Sequence, residues 1–421
     1  MVRSERISIS AIDAAVARIL SLKFEAGLFE HPYITAANVR AVSAPAHVAL
    51  AREAAQKSIV LLKNDGSLPL NPASSMKLAV IGPNATEALF GGYSGVNANA
   101  VGVLAGIRAA VGSNVQVEHA DGVWITEPDP NGEHTWGTPL RRPSTADNAV
   151  RIAEAVVVAK RSDMIVLVLG DRPEITREAV QFGDPGDRST LSLFGDQDAL
   201  VEAMIAIGKP IVALLINGRA LAIERLAEQA NALLECWYLG QEGGNAVADV
   251  LFGKVNPGGK LTVSFPRSVG ELPVYYDRHP STDLNQYVEG KRTTVFSFGH
   301  GLSYTKFRIS TPRLTRATIA QTDSVDVEVD VTNIGTRVGD EVIQLYIRDD
   351  VSSVPRPILE LRAFERVPMM PGQSRTVRFR LTPDMLAFWD VDMKWSVEPG
   401  SFTISVGNSV EELKTVKLMV I

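Results

Sequence analysis

Four short, unbroken apolar runs constrain this chain more than any other feature. KLAVIGPNA (77–85), SDMIVLVLGD (162–171), KPIVALLING (209–218) and NALLECWYLG (231–240) are mainly aliphatic or β-branched and run into Gly or Asn. A strand with one wet face alternates polar and apolar residues, so a run apolar on both faces predicts a strand covered on both sides, as in a parallel sheet. The stretches between them, including 148–160 and 196–207, carry apolar residues at helical spacing. This alternation predicts an α/β layered domain whose ligands bind beyond the carboxyl ends of the strands. The loops after Gly82, Gly170, Gly218 and Gly240 are then the working edge.

The texture changes after about residue 266. Leu272–Tyr304 is rich in Tyr, Gly, Pro and Ser and reads as an extended linker. Strict alternation follows at Val325, Val327, Val329 and Val331, at Ile343, Leu345 and Ile347, at Val377, Phe379 and Leu381, and at Phe402, Ile404 and Val406. Turn signals at Asn333–Gly335, Pro371–Gly372 and Pro399–Gly400 separate these segments, which predicts a β-sandwich of the immunoglobulin or fibronectin type III kind. At the other end, Ser10 with Asp13 makes an acidic capping box. Ile12, Val16, Ile19, Leu20 and Phe24 keep helical spacing, and Gly27 and Pro32 close the segment. A second helical pattern covers Val48–Leu62. The expected units are a helix and connector (1–42), an α/β domain (43–268), an extended linker (269–311) and a β-sandwich (312–421).

Composition removes several classes of function. Lys and Arg number 42 against 48 Asp and Glu, a net charge of −6 without a basic block, which excludes phosphate-driven duplex binding as the main activity. Cys236 is the single cysteine, so neither an intramolecular disulfide nor a cysteine zinc cluster is expected. The six histidines are scattered, and no metal site or cofactor is expected. No apolar run approaches the roughly 18–20 residues of a membrane helix, and the N-terminus does not read as a signal peptide. As given, the chain reads as cytoplasmic.

Generic motifs mostly fail. LFGKVNPGGKL resembles a phosphate-binding loop, but Lys254 replaces the first Gly and Leu261 the Ser or Thr. FGGYSG (90–95) follows the first apolar run and fits either a ligand cradle or a plain glycine loop. The loop after the second run, LGDRPEITREAVQFGDPGDRSTLSL, carries Asp171, Glu174, Glu178, Asp184 and Asp187 among Arg172, Arg177 and Arg188. Carboxylates after a parallel strand fit acid/base chemistry or cation binding, and equally a solvated charged loop. Asp184-Pro-Gly-Asp187 has the residues of a calcium turn but not the regular ligand spacing.

Longer stretches carry a resemblance. SIVLLKNDGSLPL, LAVIGPNA, GGYSG, GDRSTLSLFGDQ, INGRAL, LGQEGGNAVADVLFGKVNPGGKLTVSFPRSVGELPVYY, FSFGHGLSYTKF, VTNIGTRVGDEVIQLYIRD and EPGSFTISVG resemble, in order, the C-terminal half of glycoside hydrolase family 3, the β-glucosidase and β-xylosidase family. The resemblance implies an α/β sandwich followed by a fibronectin type III-like domain. It also implies that IDAAVARILSLKFEAGLFEHPY is the segment leading out of the family's catalytic barrel, and that LLKN, with Lys63 and Asn64, is structural. The barrel supplies the family's aspartate nucleophile, and nothing here resembles that motif. The general acid/base carries over to Glu178, with Glu174 as the alternative; Asp187 and Arg188 are expected to brace the loop.

A retaining glycosidase needs two carboxyl groups about 5–5.5 Å apart, one attacking and one protonating the leaving oxygen. The resemblance therefore implies the acid/base half of a β-glycosidase removing terminal β-linked sugars, with water as co-substrate, inactive alone. Its implied partners are a β-linked oligosaccharide or an aryl or alkyl β-glycoside, together with a barrel polypeptide or a second copy; no nucleic acid or membrane partner is expected. Relatives are often periplasmic or secreted. The rival expectation is a non-catalytic carbohydrate-binding or protein-interaction module.

Overall fold

The computed structural model describes residues 2–4, 6–36, 44–95, 97–127, 140–178, 180–181, 184–280, 287–288 and 294–421. The chain divides into two units, Met1–Leu50 and Ala51–Ile421.

The first unit is built around the helix Ile9–Glu25. Its N-cap is Ser8, whose hydroxyl accepts from the Ala11 N–H at 3.2 Å, and not Ser10 as the capping-box pattern predicts. Both serines precede the apolar stripe, so pattern alone favours the one with an acid three residues on. Gly27, at φ +65°, closes the helix as expected: the Leu28 N–H reaches Lys23 O and the Gly27 N–H reaches Phe24 O, the paired bonds of a Schellman motif. No residue of this helix is buried, including Ile12, Val16, Ile19 and Leu20.

The second unit begins within the helix Pro45–Ser58, shorter than the sequence pattern suggests because Val60–Asn64 is already a strand, β1. Next come β2 (Met76–Ile81), β3 (Val115–Ala120), β4 (Met164–Gly170), the two-residue strands β5 (Val180–Gln181) and β6 (Asp184–Pro185), β7 (Ile211–Ile216) and β8 (Ala232–Glu235). The main sheet has the order β1-β8-β7-β4-β2-β3, with every pairing parallel except β1 with β8. Alternate residues of one strand feed two separate cores. Val166 and Val168 face the helices Val103–Ala110 and Gly243–Leu251, whereas Ile165, Leu167 and Leu169 face Thr145–Lys160 and Gln197–Ile205. This two-sided burial is why the runs are so largely apolar. The two helices on the first face meet through glycine: a Cβ on Gly244 would lie 2.0 Å from Gly102 O.

The C-terminal region contains β9 (Phe307–Ile309), β10 (Arg313–Leu314), β11 (Thr318–Ile319), β12 (Val325–Asn333), β13 (Gly339–Asp349), β14 (Glu360–Met369), β15 (Ser374–Leu381), β16 (Phe388–Trp389), β17 (Trp395–Ser396), β18 (Gly400–Gly407) and β19 (Leu413–Val420). β12 joins β9, β10 and β15 in one sheet, and β11-β19-β18-β13-β14 form the other. Between the sheets lies a third core that includes Val327, Val329, Ile343, Leu345, Phe379 and Ile404. β12 alternates buried and half-buried residues, but β13 is buried on nearly every residue. Its second face lies against the expected linker and the end of the α/β domain: Gln344 donates to Gly299 O at 3.2 Å. Tyr346 meets Tyr276 edge-on, and Tyr276 stacks on Phe298 at 4.0 Å. Glu341 pairs with Lys260 at 2.8 Å. The end of the expected linker is likewise bound to the α/β domain. Phe296 bridges to Phe265, Leu302 to Leu61, and the Tyr304 hydroxyl donates to Val250 O.

Candidate active site

The sheet order fixes where a ligand can approach. From β2 the chain moves to β3 on one side and then returns to β4 on the other, so the winding reverses between β2 and β4. At such a reversal the following loops diverge and leave a crevice at the carboxyl edge. The loop after β4 is the acidic loop singled out in the sequence, and the loop after β2 contains FGGYSG. They meet there: Arg172 pairs with Glu87 at 2.6 Å, and a Cβ on Gly92 would touch Cγ of Arg177 at 3.6 Å.

Gly170 ends β4 at φ +133°, where a Cβ would strike Ile216 O at 2.1 Å, so only glycine lets the chain leave the sheet here. Asp171 follows, fully buried, with Arg188 at 2.9 Å and Arg219 at 3.7 Å. Burial raises its pKa despite both arginines. Arg188 also donates to Ser192 O, and Asp187 accepts from the Arg188 N–H at 2.8 Å and from Arg219 at 2.6 Å. Burial pushes Asp187 upward, but the Arg188 N–H and Arg219 outweigh it and hold the carboxylate below its ordinary range. The two acids and two arginines thus tie the return limb of the loop to the ends of β4 and β7.

Between these anchors the loop makes a short helical turn at Pro173–Ile175 and then a hairpin. The Arg177 N–H donates to Gly186 O at 2.7 Å, and β5 pairs with β6. Gly186 is forced by crowding, since a Cβ there would sit 2.4 Å from Glu178 O. Glu178 is exposed at the entrance to this hairpin, and among the described residues nothing bonds its carboxylate. Glu174 is half-buried beside Arg172 at 3.4 Å. Burial works against the Arg172 charge, but Glu174 and Glu87 outweigh it and raise its pKa. The two acid/base candidates are therefore in different settings, one open and one committed to an ion pair. The Asp184 side chain lies outside the described residues, and no other group of acids, histidines or cysteine among the described residues is placed to hold a metal ion.

Sequence reasoning missed one further carboxyl at this edge. Glu235 closes β8, is fully buried, and accepts from the Trp237 N–H at 2.8 Å and from Asn217 Nδ2 at 3.2 Å. Burial pushes its pKa well above the ordinary glutamate value, in spite of those two donors. Its signal was an acid standing alone within LLECW. Lys63 donates to the carbonyls of Ala227 and Glu228 at a helix end, and Asn64 folds the following turn through Gly66 N, Leu68 N and Leu68 O.

Comparison with known proteins gives this geometry a family. The profile of the glycosyl hydrolase family 3 C-terminal domain matches residues 59–304, and that of a fibronectin type III-like domain matches residues 341–410. A β-xylosidase of Formosa agariphila is 42% identical over 424 aligned positions, covering 97% of this chain and 55% of that protein. A periplasmic β-glucosidase of Salmonella typhimurium is 36% identical, with the same two coverages. Among solved structures, a β-glucosidase of Erythrobacter marinus superposes with a TM-score of 0.93 at 40% identity, covering all of this chain and 57% of the other. The β-glucosidase of Listeria innocua in complex with glucose gives 0.84 at 32% identity, covering 56% of that chain. The chain thus spans about half the length of the relatives it matches. It belongs to glycoside hydrolase family 3, of which it carries the C-terminal α/β domain and the fibronectin type III-like domain.

Proposed function

We propose that these 421 residues form the acid/base half of a retaining β-glycosidase that removes terminal β-linked glucose or xylose units. The observation that carries this reading is the open carboxylate of Glu178, poised at the reversal point of the sheet on a loop fastened at both ends. Glu178 protonates the departing glycosidic oxygen while a barrel aspartate attacks the anomeric carbon. It then takes a proton from the water that releases the sugar. Asp187 and Arg188 hold the loop for this task. Glu174 serves Arg172 instead, which favours Glu178 over it.

A general acid needs its proton at working pH, which burial against a low-dielectric surface provides. For an exposed Glu178 that surface is the barrel together with bound sugar. The open site also accommodates the rival reading, a module that binds carbohydrate or protein without turnover.

The test is hydrolysis of aryl β-glucoside and aryl β-xyloside by the purified chain, alone and mixed with a family 3 barrel fragment. Turnover is expected only in the mixture, reduced about 10²–10⁴-fold by Glu178→Gln and little changed by Glu174→Gln. Turnover by the chain alone, indifferent to Glu178, would overturn the assignment. A folded mixture that stays silent would favour the module.

A further inference from the structure

The β16–β17 hairpin belongs to neither sheet of the sandwich; its two strands pair only with each other. Trp389 and Trp395 stand opposite one another across it, their ring centres 5.6 Å apart and their planes tilted by 59°. That contact steadies a hairpin that stands alone, yet it leaves Trp389 57% and Trp395 47% exposed. The tip adds Val391 and Met393, at 72% and 74%. Every second residue from 389 to 395 is thus apolar and open to solvent, which closing the hairpin does not require.

The loop holds this surface still. The Asp390 carboxylate accepts from the Asp392 and Lys394 N–H groups and from the Ser396 hydroxyl, each at 2.9 Å. Met393 sits at φ +59°, where glycine would spare the strain. The Trp395 indole N–H donates to Asp384 Oδ1 at 2.8 Å, which fixes the ring. Asp384 is exposed, and its second oxygen, at the edge of that ring, has no partner among the described residues.

An indole face carries negative charge that attracts polarised C–H groups, and the free carboxylate oxygen beside it accepts a hydroxyl. A pyranose with all its substituents equatorial offers both, C–H groups on its faces and hydroxyls around its rim. β-Linked glucose and xylose are such sugars. Charge argues against other occupants: Asp384, Asp390 and Asp392 outnumber Lys394, so a nucleic acid or an acidic lipid surface is repelled.

We infer that this hairpin is a stacking platform for a neutral chain of β-linked glucose or xylose units. Trp389 and Trp395 supply the stacking faces and Asp384 the hydroxyl acceptor. The choice of a β-linked chain rests on the glycosidase reading, but binding at the hairpin is measured without turnover.

The experiment is titration calorimetry of the whole chain with cellohexaose, xylohexaose and the α-linked maltohexaose, beside sedimentation equilibrium and flotation with phosphatidylcholine vesicles. At least one β-linked hexamer should bind saturably, about tenfold or more tighter than maltohexaose, and Trp389→Ala should weaken it by a similar factor. Asp384→Asn keeps an oxygen for the indole but replaces the free acceptor with a donor. It should weaken binding severalfold at an unchanged melting temperature, so the result does not hang on whether Trp389→Ala folds. Failure of both β-linked hexamers to bind, or equal binding by parent and both variants, would overturn the platform. Vesicle binding or dimerisation abolished by Trp389→Ala, without sugar binding, would overturn it in favour of a membrane or a second copy. Binding here with a barrel mixture that stays silent would sink the glycosidase reading and spare the platform; turnover without binding here would do the reverse.

Discussion

Asp171 and Glu235 are both fully buried on the carboxyl edge, but they are stabilised differently. Asp171 keeps two arginines, whereas Glu235 has only neutral donors. Burial therefore retains a proton on folded Glu235 at a pH where the unfolded chain has lost it. Stability should fall as pH rises from about 4.3, the ordinary glutamate value, toward the raised folded value, and level off above it. Glu235→Gln removes this contribution and should flatten the slope by up to about 1.4 kcal/mol per pH unit. Urea denaturation between about pH 5 and pH 8 measures it; equal slopes for both proteins would mean that Glu235 is ionised in the fold. The same comparison shows what a sequence conceals about residues. Asp171 and Arg188 are visible as types, but their contact spans 17 positions and depends on how the loop returns. Glu178 could be chosen among five acids only through family resemblance, because its distinguishing trait, an open carboxylate beside a committed Glu174, is spatial.

Elements were legible in proportion to how completely their surroundings dictate their residues. β2, β4, β7 and β8 have both faces covered, so apart from Lys77 near the start of β2 and Glu235 at the end of β8 they are apolar. β1 escaped because it is an antiparallel edge strand whose last residues are half-buried and whose start lies two positions after a helix. The β5–β6 hairpin escaped because two-residue strands carry no period. The glycine contact between the helices Val103–Ala110 and Gly243–Leu251 is equally silent in sequence, but it has a sharp consequence. Gly244→Ala pushes a methyl group onto a backbone carbonyl that cannot swing aside, and should destabilise by about 1–3 kcal/mol. That loss, read from denaturant midpoints, should exceed the gain in helix propensity from Gly to Ala of about 1 kcal/mol. A stabilised Gly244→Ala would show that these helices can separate freely.

For the whole molecule, texture gave the order of layers, α/β and then β-sandwich, but not how closely they are joined. Gln344 and Tyr346 occupy the positions that alternation along β13 marks as solvent-facing, and both are instead buried against the segment that joins the two domains. Beside them, Lys260 and Glu341 form an ion pair with side chains 10% and 5% exposed. Removing one partner of such a pair leaves a buried charge, at a cost of about 3–5 kcal/mol. Lys260→Met should therefore lower the melting temperature and split one calorimetric transition of residues 51–421 into two. Two transitions already present in the parent would refute a single cooperative block. The join also bears on how such genes can be recombined. The border near residue 311 looks like a seam where one module could be exchanged for another, yet a graft would have to bring its own partner for Lys260, its own amide for Gly299 O and its own ring for Tyr276. Chimeras made at that border inherit a mismatched socket, and successful swaps should be confined to donors whose sandwich strand carries the equivalents of Glu341, Gln344 and Tyr346.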